Sequence, residues 1–153
     1  MEKILILGIG NQLMMDDGLG IYIVEELQKT FALQGVTYVS GESDIDFCIG
    51  QIEDATNVII IDAAVSGTNP GQVSTYPIAD LHQQQSLDIS PHNIHLFQVL
   101  YQQRNRLRGY LIGIEPFEVK FHIGLSERMI YEWDYVIAEV KKILNNLIED
   151  FKR

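Results

Sequence analysis

Two adjacent carboxylates, Asp16 and Asp17, stand in a glycine-rich stretch at residues 8–20. The apolar run 4–7 before it is typical of a buried strand, and a helical pattern of apolar residues follows it. Because a helix N-terminus stabilises negative charge, both carboxylates are predicted to stay ionised and to be able to hold a cation. The simpler alternative is that they only cap the helix.

The same stretch begins like a dinucleotide-binding turn, since Gly8 and Gly10 are two residues apart. However, Leu13 occupies the position of the third glycine, and two aspartates would repel a pyrophosphate. The pattern therefore favours a loop that binds a cation over one that binds a nucleotide.

Two further carboxylates follow predicted strands. Asp62 ends the β-branched run 58–61, which is typical of a strand buried on both faces, and Glu115 ends the run 110–114. Ligands of open α/β sheets bind at the carboxyl ends of strands. Asp62 is therefore a candidate ligand near the first loop, although an aspartate that only forms a turn has the same pattern.

A histidine opens the third predicted helix. Ser90 at the N-cap and Pro91 at the first helical position predict a helix that extends to about Arg106. The helix N-terminus disfavours an imidazolium, so His92 is expected to be a neutral imidazole that can bind a metal. His95, one turn later, is its competitor, and we expect it to be a partly exposed helix residue.

The single cysteine, Cys48, lies in a short helix predicted from Asp44 to Ile52. A nucleophilic cysteine would need a surrounding motif, which the sequence does not provide. A lone cysteine between Phe47 and Ile49 is typical of a packing residue. Cys48 is therefore predicted not to be catalytic.

Several other segments have clear patterns. A second strand is predicted at 36–40, an edge strand at 72–77 and a short strand at 117–121, with an exposed loop at 80–88 in which His82 is solvated. Ser126 is predicted to cap the last helix. The third helix is expected to turn these residues inward: Ile94, Phe97, Leu100 and Tyr101.

Length and composition limit the class of protein. The 153 residues suit a single domain, 1–153, and the formal net charge of −10 disfavours nucleic acid and anionic membranes as partners. No run is long enough to cross a bilayer, and Met1 leads almost directly into a strand, so no signal peptide is expected. One cysteine excludes an internal disulfide, so a cytoplasmic location is expected.

The chain resembles the hydrogenase maturation proteases, endopeptidases that trim the C-terminal extension of the NiFe hydrogenase large subunit. The matching stretches span most of the chain in the order that the family has: residues 6–11, Asp16-Asp17-Gly18-Leu19-Gly20, Ile61-Asp62-Ala63, Ser90-Pro91-His92, Gly113-Ile114-Glu115-Pro116 and His122-Ile123-Gly124-Leu125-Ser126. The resemblance implies an α/β fold, a three-layer α/β/α sandwich with a twisted, mostly parallel central sheet of about five strands. The order of predicted strands and helices agrees with it.

The resemblance also implies a site. The metal-binding residues of the family fall on Asp17, Asp62 and His92, and these residues with Asp16 form the predicted catalytic set. Asp16 and Glu115 are candidates for helpers that do not bind the metal directly. One departure follows the second strand, where residues 40–43 replace the usual Asp-Gly-Gly-Thr and leave open which hydrogenase is the substrate.

Two carboxylates and one imidazole suit Ni²⁺, Zn²⁺ or Mn²⁺, with positions left for water or substrate. The resemblance implies an aspartyl-type or metal-dependent endopeptidase that recognises nickel already inserted in the large-subunit precursor. Cd²⁺ or Zn²⁺ are possible surrogates, no organic cofactor is expected, and a monomer is expected. The general base stays open. The alternatives are an α/β module that binds a nucleotide or metabolite without cleaving anything, and a chaperone that handles nickel.

Overall fold

The computed structural model describes residues 3–83, 87–88 and 91–153, and for residues 82, 83, 91 and 92 it describes the backbone but not the side chain. The strands are β1 (Ile4–Ile9), β2 (Val36–Glu42), β3 (Asn57–Ala63), β4 (Val73–Pro77) and β5 (Arg108–Ile114). The helices are α1 (Leu19–Thr30), α2 (Ile45–Ile52), α3 (Pro91–Gln102) and α4 (Glu127–Phe151), with 3-10 turns at Met15–Gly18 and Ile78–Gln83. Ser90, the predicted cap of α3, lies outside the described residues.

The five strands form one sheet in the order β2-β1-β3-β5-β4. The pairs β1–β2, β1–β3 and β3–β5 are parallel, whereas β4 runs antiparallel along the edge of β5. The central strand β3 has no exposed residue, and Val58 to Ile61 are completely buried, as expected for a strand covered on both faces. The predicted mostly parallel sheet of five strands is confirmed.

Helices cover both faces of this sheet. Ile6 and Ile59 point into a core shared with α1 and α4, and Leu7 and Ile60 point into a second core shared with α2 and α3. Neighbouring residues of a strand point to opposite faces, which explains how each strand supplies both cores. The result is the predicted three-layer α/β/α sandwich.

The connections from β1 and β2 place α1 and α2 in different layers. The chain leaves β1 through α1 for β2 on one side, and returns through α2 to β3 on the other side of β1. Such a reversal opens a crevice at the carboxyl ends of the two strands, where ligands of α/β proteins bind. The candidate residues that follow β1 and β3 therefore meet at one edge.

Two glycines bring α1 against this edge. A Cβ at Gly20, in the first turn of α1, would overlap the carbonyl oxygens of Ile61 and Ile9, and a Cβ at Gly8 would overlap the carbonyl oxygen of Gly20. Only glycine fits where the backbones of a helix and two strands come this close. The start of α1 is consequently fixed against the ends of both strands.

Two predicted segments differ in the structure. Residues 117–121 form no strand, because their backbone is held by the side chain and the main chain of Asp16 and not by a neighbouring strand. The predicted exposed loop 80–88 begins as the 3-10 turn Ile78–Gln83, and Leu81 in it is buried against α3. The side chain of His82 lies outside the described part of the chain.

The predicted limits and faces of the helices need smaller corrections. Helix α3 ends at Gln102 and not near Arg106, because residues 103–106 form turns. Ile94 is exposed, and Leu96 takes the buried position instead. Asp44 caps α2 by accepting from the N–H of Phe47. Among the helices in the described ranges, none combines the length and apolarity needed to span a bilayer.

The close approach at Gly20 predicts that alanine destabilises the protein at this position but not at Gly50. Gly20→Ala is expected to lower the free energy of unfolding by about 1–3 kcal/mol, because the added methyl group meets backbone that has little room to shift. Urea unfolding followed by circular dichroism measures it.

The matched control is Gly50→Ala in the interior of α2, where an added Cβ has no neighbour within 4 Å. There the substitution is expected to stabilise the protein by about 0.5–1 kcal/mol, since alanine is the better helix former. Equal effects of the two substitutions would contradict this account of Gly20.

Candidate active site

The candidate active site lies at the carboxyl edge of the sheet, between β1 and β3. Asp17 belongs to the 3-10 turn Met15–Gly18 that follows β1, and Asp62 lies one residue before the end of β3. The two carboxylates are close enough for the charge of Asp17 to raise the pKa of Asp62. These two carboxylates therefore lie within electrostatic reach of each other, whereas the convergence of Asp17, Asp62 and His92 on one ion stays a prediction.

Asp62 is a buried carboxylate with too few partners. Its Oδ2 accepts a hydrogen bond of 2.9 Å from Nδ2 of Asn93, whereas its Oδ1 is buried and has no partner in the described part of the chain. Burial raises the pKa of Asp62 well above its usual range, and the nearby charge of Asp17 raises it further. A buried oxygen without a donor, beside a second carboxylate, is a position that a cation or a proton would stabilise.

Asn93 is a residue of the site that was not identified from the sequence. It lies in the first turn of α3, directly after His92, and its amide fixes the orientation of the Asp62 carboxylate. An amide side chain at a helix start is easily taken for part of the cap, so only the position next to His92 could have drawn attention to it.

Asp17 is half-buried, and this burial raises its pKa, with the backbone N–H of Asn11 acting in the opposite direction. The sequence predicted that the helix N-terminus keeps the carboxylates ionised, but for Asp17 burial is the larger effect. Helix α1 is capped by Gly18 without a side-chain hydrogen bond. Neither aspartate therefore caps α1.

Asp16 has the opposite environment from Asp62, because its buried carboxylate is surrounded by donors. Its Oδ2 accepts from the N–H groups of Phe117 at 2.9 Å and Glu118 at 3.0 Å and from the hydroxyl of Ser126 at 2.8 Å. Its Oδ1 accepts from the N–H of Ser126 at 2.8 Å. This carboxylate fastens the loop after β5 and the start of α4 to the first loop.

Backbone hydrogen bonds strengthen the same connection. The N–H of Met15 donates to the carbonyl of His122 at 2.9 Å, and the N–H of His122 donates to the carbonyl of Leu13 at 2.8 Å. Met15 has a φ of 52°, a left-handed conformation that is uncommon outside glycine. The turn that carries Asp17 is therefore held in an unfavourable conformation by residues more than a hundred positions away in the chain.

The third predicted ligand, His92, lies in the first turn of α3, next to Asn93. Its side chain lies outside the described part of the structure, so its place in the ligand set stays a prediction. The side chains that are described, which do not include that of His92, contain no group of three metal-ligating residues. His95 is exposed, as expected for its position on the helix.

Glu115 serves a neighbouring loop. Its Oε1 accepts four hydrogen bonds of 2.9–3.1 Å from the N–H and hydroxyl groups of Ser66 and Thr68. Burial alone would raise the pKa of Glu115, but these hydrogen bonds outweigh it and lower the pKa. Glu115 thus shapes the loop between β3 and β4, and neither Ser66 nor Thr68 was identified from the sequence.

Cys48 is completely buried, and its thiol donates to the carbonyl of Gly41 at 3.7 Å. Burial, followed by the charge of Asp44, raises its pKa to about 11. A thiol is nucleophilic as the thiolate, which this environment disfavours. The structure therefore supports the packing role predicted for Cys48.

The sequence and the fold of the chain are similar to those of proteins of known type. Residues 21–143 match the family described as HycI, hydrogenase maturation protease. The chain is 30% identical to the hydrogenase expression/formation protein HupD of Rhodobacter capsulatus, over 94% of this chain and 71% of the relative. It is 31% identical to the hydrogenase 2 maturation protease of Escherichia coli, over 81% and 79%. The structure of the hydrogenase maturating endopeptidase HybD from E. coli matches with a TM-score of 0.78 at 26% identity, over 94% of this chain and 93% of that one.

The buried carboxylate of Asp62 predicts a substitution that stabilises the fold. A carboxyl whose pKa is raised in the folded state destabilises it increasingly as the pH rises from the usual value of 3.8 through the folded value. Asp62→Asn is therefore expected to raise the thermal midpoint at neutral pH, by about 2–4 °C for each kcal/mol gained. The gain is expected to shrink towards about pH 4, as Asp62 becomes protonated in both states.

The measurement is thermal unfolding over this pH range, with Asp134→Asn as the control, because Asp134 is exposed on α4 and lies away from both ends of that helix. The control should move the midpoint little at any pH. A lower midpoint for Asp62→Asn than for the wild type at neutral pH would contradict the argument.

The hydrogen bonds of Asp16 predict that its substitution lowers the stability of the whole fold and also loosens the two segments bound to it. Asp16→Asn replaces one accepting oxygen with a donor that faces other donors, so it is expected to cost about 1–3 kcal/mol. Hydrogen exchange should show lost protection at the amides of Phe117, Glu118 and Ser126. The exposed Asp54→Asn is the control. Unchanged protection at those three amides would show that Asp16 does not hold the two loops together.

Proposed function

The chain belongs to the hydrogenase maturation protease family and is an endopeptidase; on that premise we propose that it removes the C-terminal extension of a NiFe hydrogenase large-subunit precursor after nickel insertion. The observation that carries the proposal is the Oδ1 of Asp62, which is buried beside the Asp17 carboxylate and has no hydrogen-bond partner among the described residues. Two neighbouring carboxylates whose negative charge is not balanced by a described cationic side chain suit a cation that arrives with the substrate.

In this proposal the nickel belongs to the substrate, and Asp17, Asp62 and His92 are its ligands on the enzyme. Two carboxylates and an imidazole are donors that Ni²⁺ accepts. Asn93 orients the carboxylate of Asp62 from its other oxygen, which is the usual arrangement around a metal-ligating group. The positive charge of the ion would then balance the negative charge of Asp62, whose Oδ1 has no partner among the described residues.

The ion would join enzyme and substrate at the bond to be cut. An error of about 1 Å in position can cost on the order of a hundredfold in rate, so an ion shared by both proteins is an effective guide. A metal ion can also polarise a carbonyl and acidify a bound water. We propose water as the nucleophile, since the buried thiol of Cys48 is far from reactive.

Asp16 and Glu115 act in this mechanism through other residues. Both carboxylates accept their hydrogen bonds from neighbouring loops, so the geometry supports positioning roles. Asp16 is tied to the turn that carries Asp17, whereas Glu115 fixes the loop that follows β3. We therefore propose that Asp16, which was predicted to be catalytic, acts by positioning the turn that carries Asp17.

We also propose that the enzyme acts in the cytoplasm as a monomer on a protein partner. The net charge of −10 favours neither nucleic acid nor an anionic membrane. The only cysteine is buried as a free thiol, which suits a reducing compartment. Light scattering on the purified protein would measure its mass and show whether a dimer forms.

Cleavage is expected to depend on nickel in the precursor. Enzyme stripped with a chelator should shorten nickel-loaded large-subunit precursor and spare the nickel-free form, as seen by electrophoresis. Asp62→Asn and His92→Ala should lose processing, because each removes a proposed ligand. Cys48→Ser is the control and should retain it.

Three results would count against this proposal. Equal cleavage of both precursor forms would indicate an ordinary peptidase. Cleavage only after Zn²⁺ is returned to the enzyme would indicate a resident metal. Nickel transfer without shortening of the precursor would indicate a chaperone.

A further inference from the structure

A short apolar surface lies beside the candidate site, and nothing in the catalytic argument uses it. Phe121 is 82% exposed, Ile123 is 71% exposed and Leu13 is 48% exposed. We propose that these three side chains, which we call the docking face, receive an apolar surface of the folded large-subunit precursor. The inference rests on the proposed function, because it takes the same precursor as the occupant.

The three residues meet where two segments of the chain are paired. Met14 and His122 form a parallel bridge, and the N–H of His122 donates to the carbonyl of Leu13. Leu13 directly precedes Met14, and Phe121 and Ile123 flank His122. The three exposed side chains are therefore carried by backbone that comes together at this bridge.

This surface is exposed although its backbone is anchored. His122 is bonded to the first loop through both its N–H and its carbonyl group, and Asp16 binds the N–H groups of Phe117 and Glu118 on one side and of Ser126 on the other. Large apolar side chains held in water by a fixed backbone are typical of a surface that another protein covers.

The docking face is also connected to the candidate active site through backbone hydrogen bonds. The carbonyl of His122 accepts from the N–H of Met15, and Asp17 lies two residues further along the same 3-10 turn. A protein seated on Phe121 and Ile123 is thereby placed relative to Asp17 through only a few residues of fixed backbone. Binding at this face would help to set the position of the bond to be cut.

The area that a protein complex needs and the net charge of this chain favour the precursor, and not a second copy of the chain, as the protein that covers the docking face. A specific protein complex buries about 800 Å² on each partner, which a crevice around a single peptide bond cannot supply. The docking face adds aromatic and aliphatic contact next to that crevice, and exposed aromatic residues commonly dominate such interfaces. A second copy of the chain is disfavoured, because two proteins of net charge −10 repel each other.

The test measures binding separately from cleavage. Nickel-loaded precursor is titrated by calorimetry against Asp62→Asn enzyme, with and without Phe121→Ser and Ile123→Ser together. The double substitution is expected to raise the Kd at least about tenfold, as loss of a central aromatic contact commonly does. In enzyme with Asp62 intact it should raise KM and leave kcat largely unchanged, because the face does not touch the reacting atoms.

The matched control is Tyr135→Ser. Tyr135 is an aromatic residue that is 56% exposed, and it lies nine residues beyond Ser126 on α4, or about 13 Å along the helix. It should change neither Kd nor KM. Thermal unfolding of all variants checks that the fold is retained, which we expect because the substituted side chains are exposed.

The outcomes separate this inference from the proposed function. An unchanged Kd for the double variant overturns the docking face, even if wild-type enzyme cleaves normally. A wild-type dimer that the double substitution dissociates, with unchanged precursor binding, would assign the face to self-association and also overturn it. Weaker binding by the double variant together with no cleavage by the wild type would sustain the docking face and overturn the proposed function.

Discussion

The buried carboxylate of Asp16 is the interaction on which the rest of the site depends. Four donors from residues 117, 118 and 126 converge on its two oxygens, and they join the first loop of the chain to the segment before the last helix. Hydrogen bonds to an ionised group are among the stronger ones in proteins. Ser126, one of these partners, also caps α4 by accepting from the N–H of Met129. One side chain thus fixes a turn, a loop and a helix start.

The carboxylate of Asp62 is also buried, but it has fewer described hydrogen-bond donors around it than the carboxylate of Asp16. In the described part of the chain its Oδ2 accepts from Asn93 while its Oδ1 has no hydrogen-bond partner, and the N–H of Ala63 lowers its pKa less than burial raises it. Burial then disfavours the charged form, which is why the pKa of Asp62 is raised. The fold therefore contains one carboxylate that stabilises it and another that costs stability. Such unfavourable groups cluster at functional sites, where a ligand supplies the missing interaction.

The sequence was sufficient to bring Asp17 and Asp62 to one place, because the carboxyl ends of neighbouring parallel strands meet at a single edge. Residue type and spacing did not distinguish Asp16 from Asp17, and only the family resemblance did, since the partners of Asp16 lie 101–110 residues away and leave no local pattern. Residues 117–121 were predicted to form a strand, because the residue that binds their backbone is distant in the sequence. In the structure this segment is hydrogen-bonded to the turn that contains Asp16. Asn93 was missed because an amide near a helix start looks like part of a cap.

The connection through Asp16 has a consequence for how a protein substrate would be handled. Asp17 and the docking face are both attached to the turn at Met15, whose left-handed conformation persists because the surrounding hydrogen bonds hold it. A substrate that contacts Phe121 and offers its nickel to Asp17 would meet two points on one rigid unit. Small errors of placement are costly in rate, so rigidity between the two points gives selectivity without further contacts. In the proposed mechanism, the left-handed backbone at Met15 would fix the distance between the docking face and Asp17.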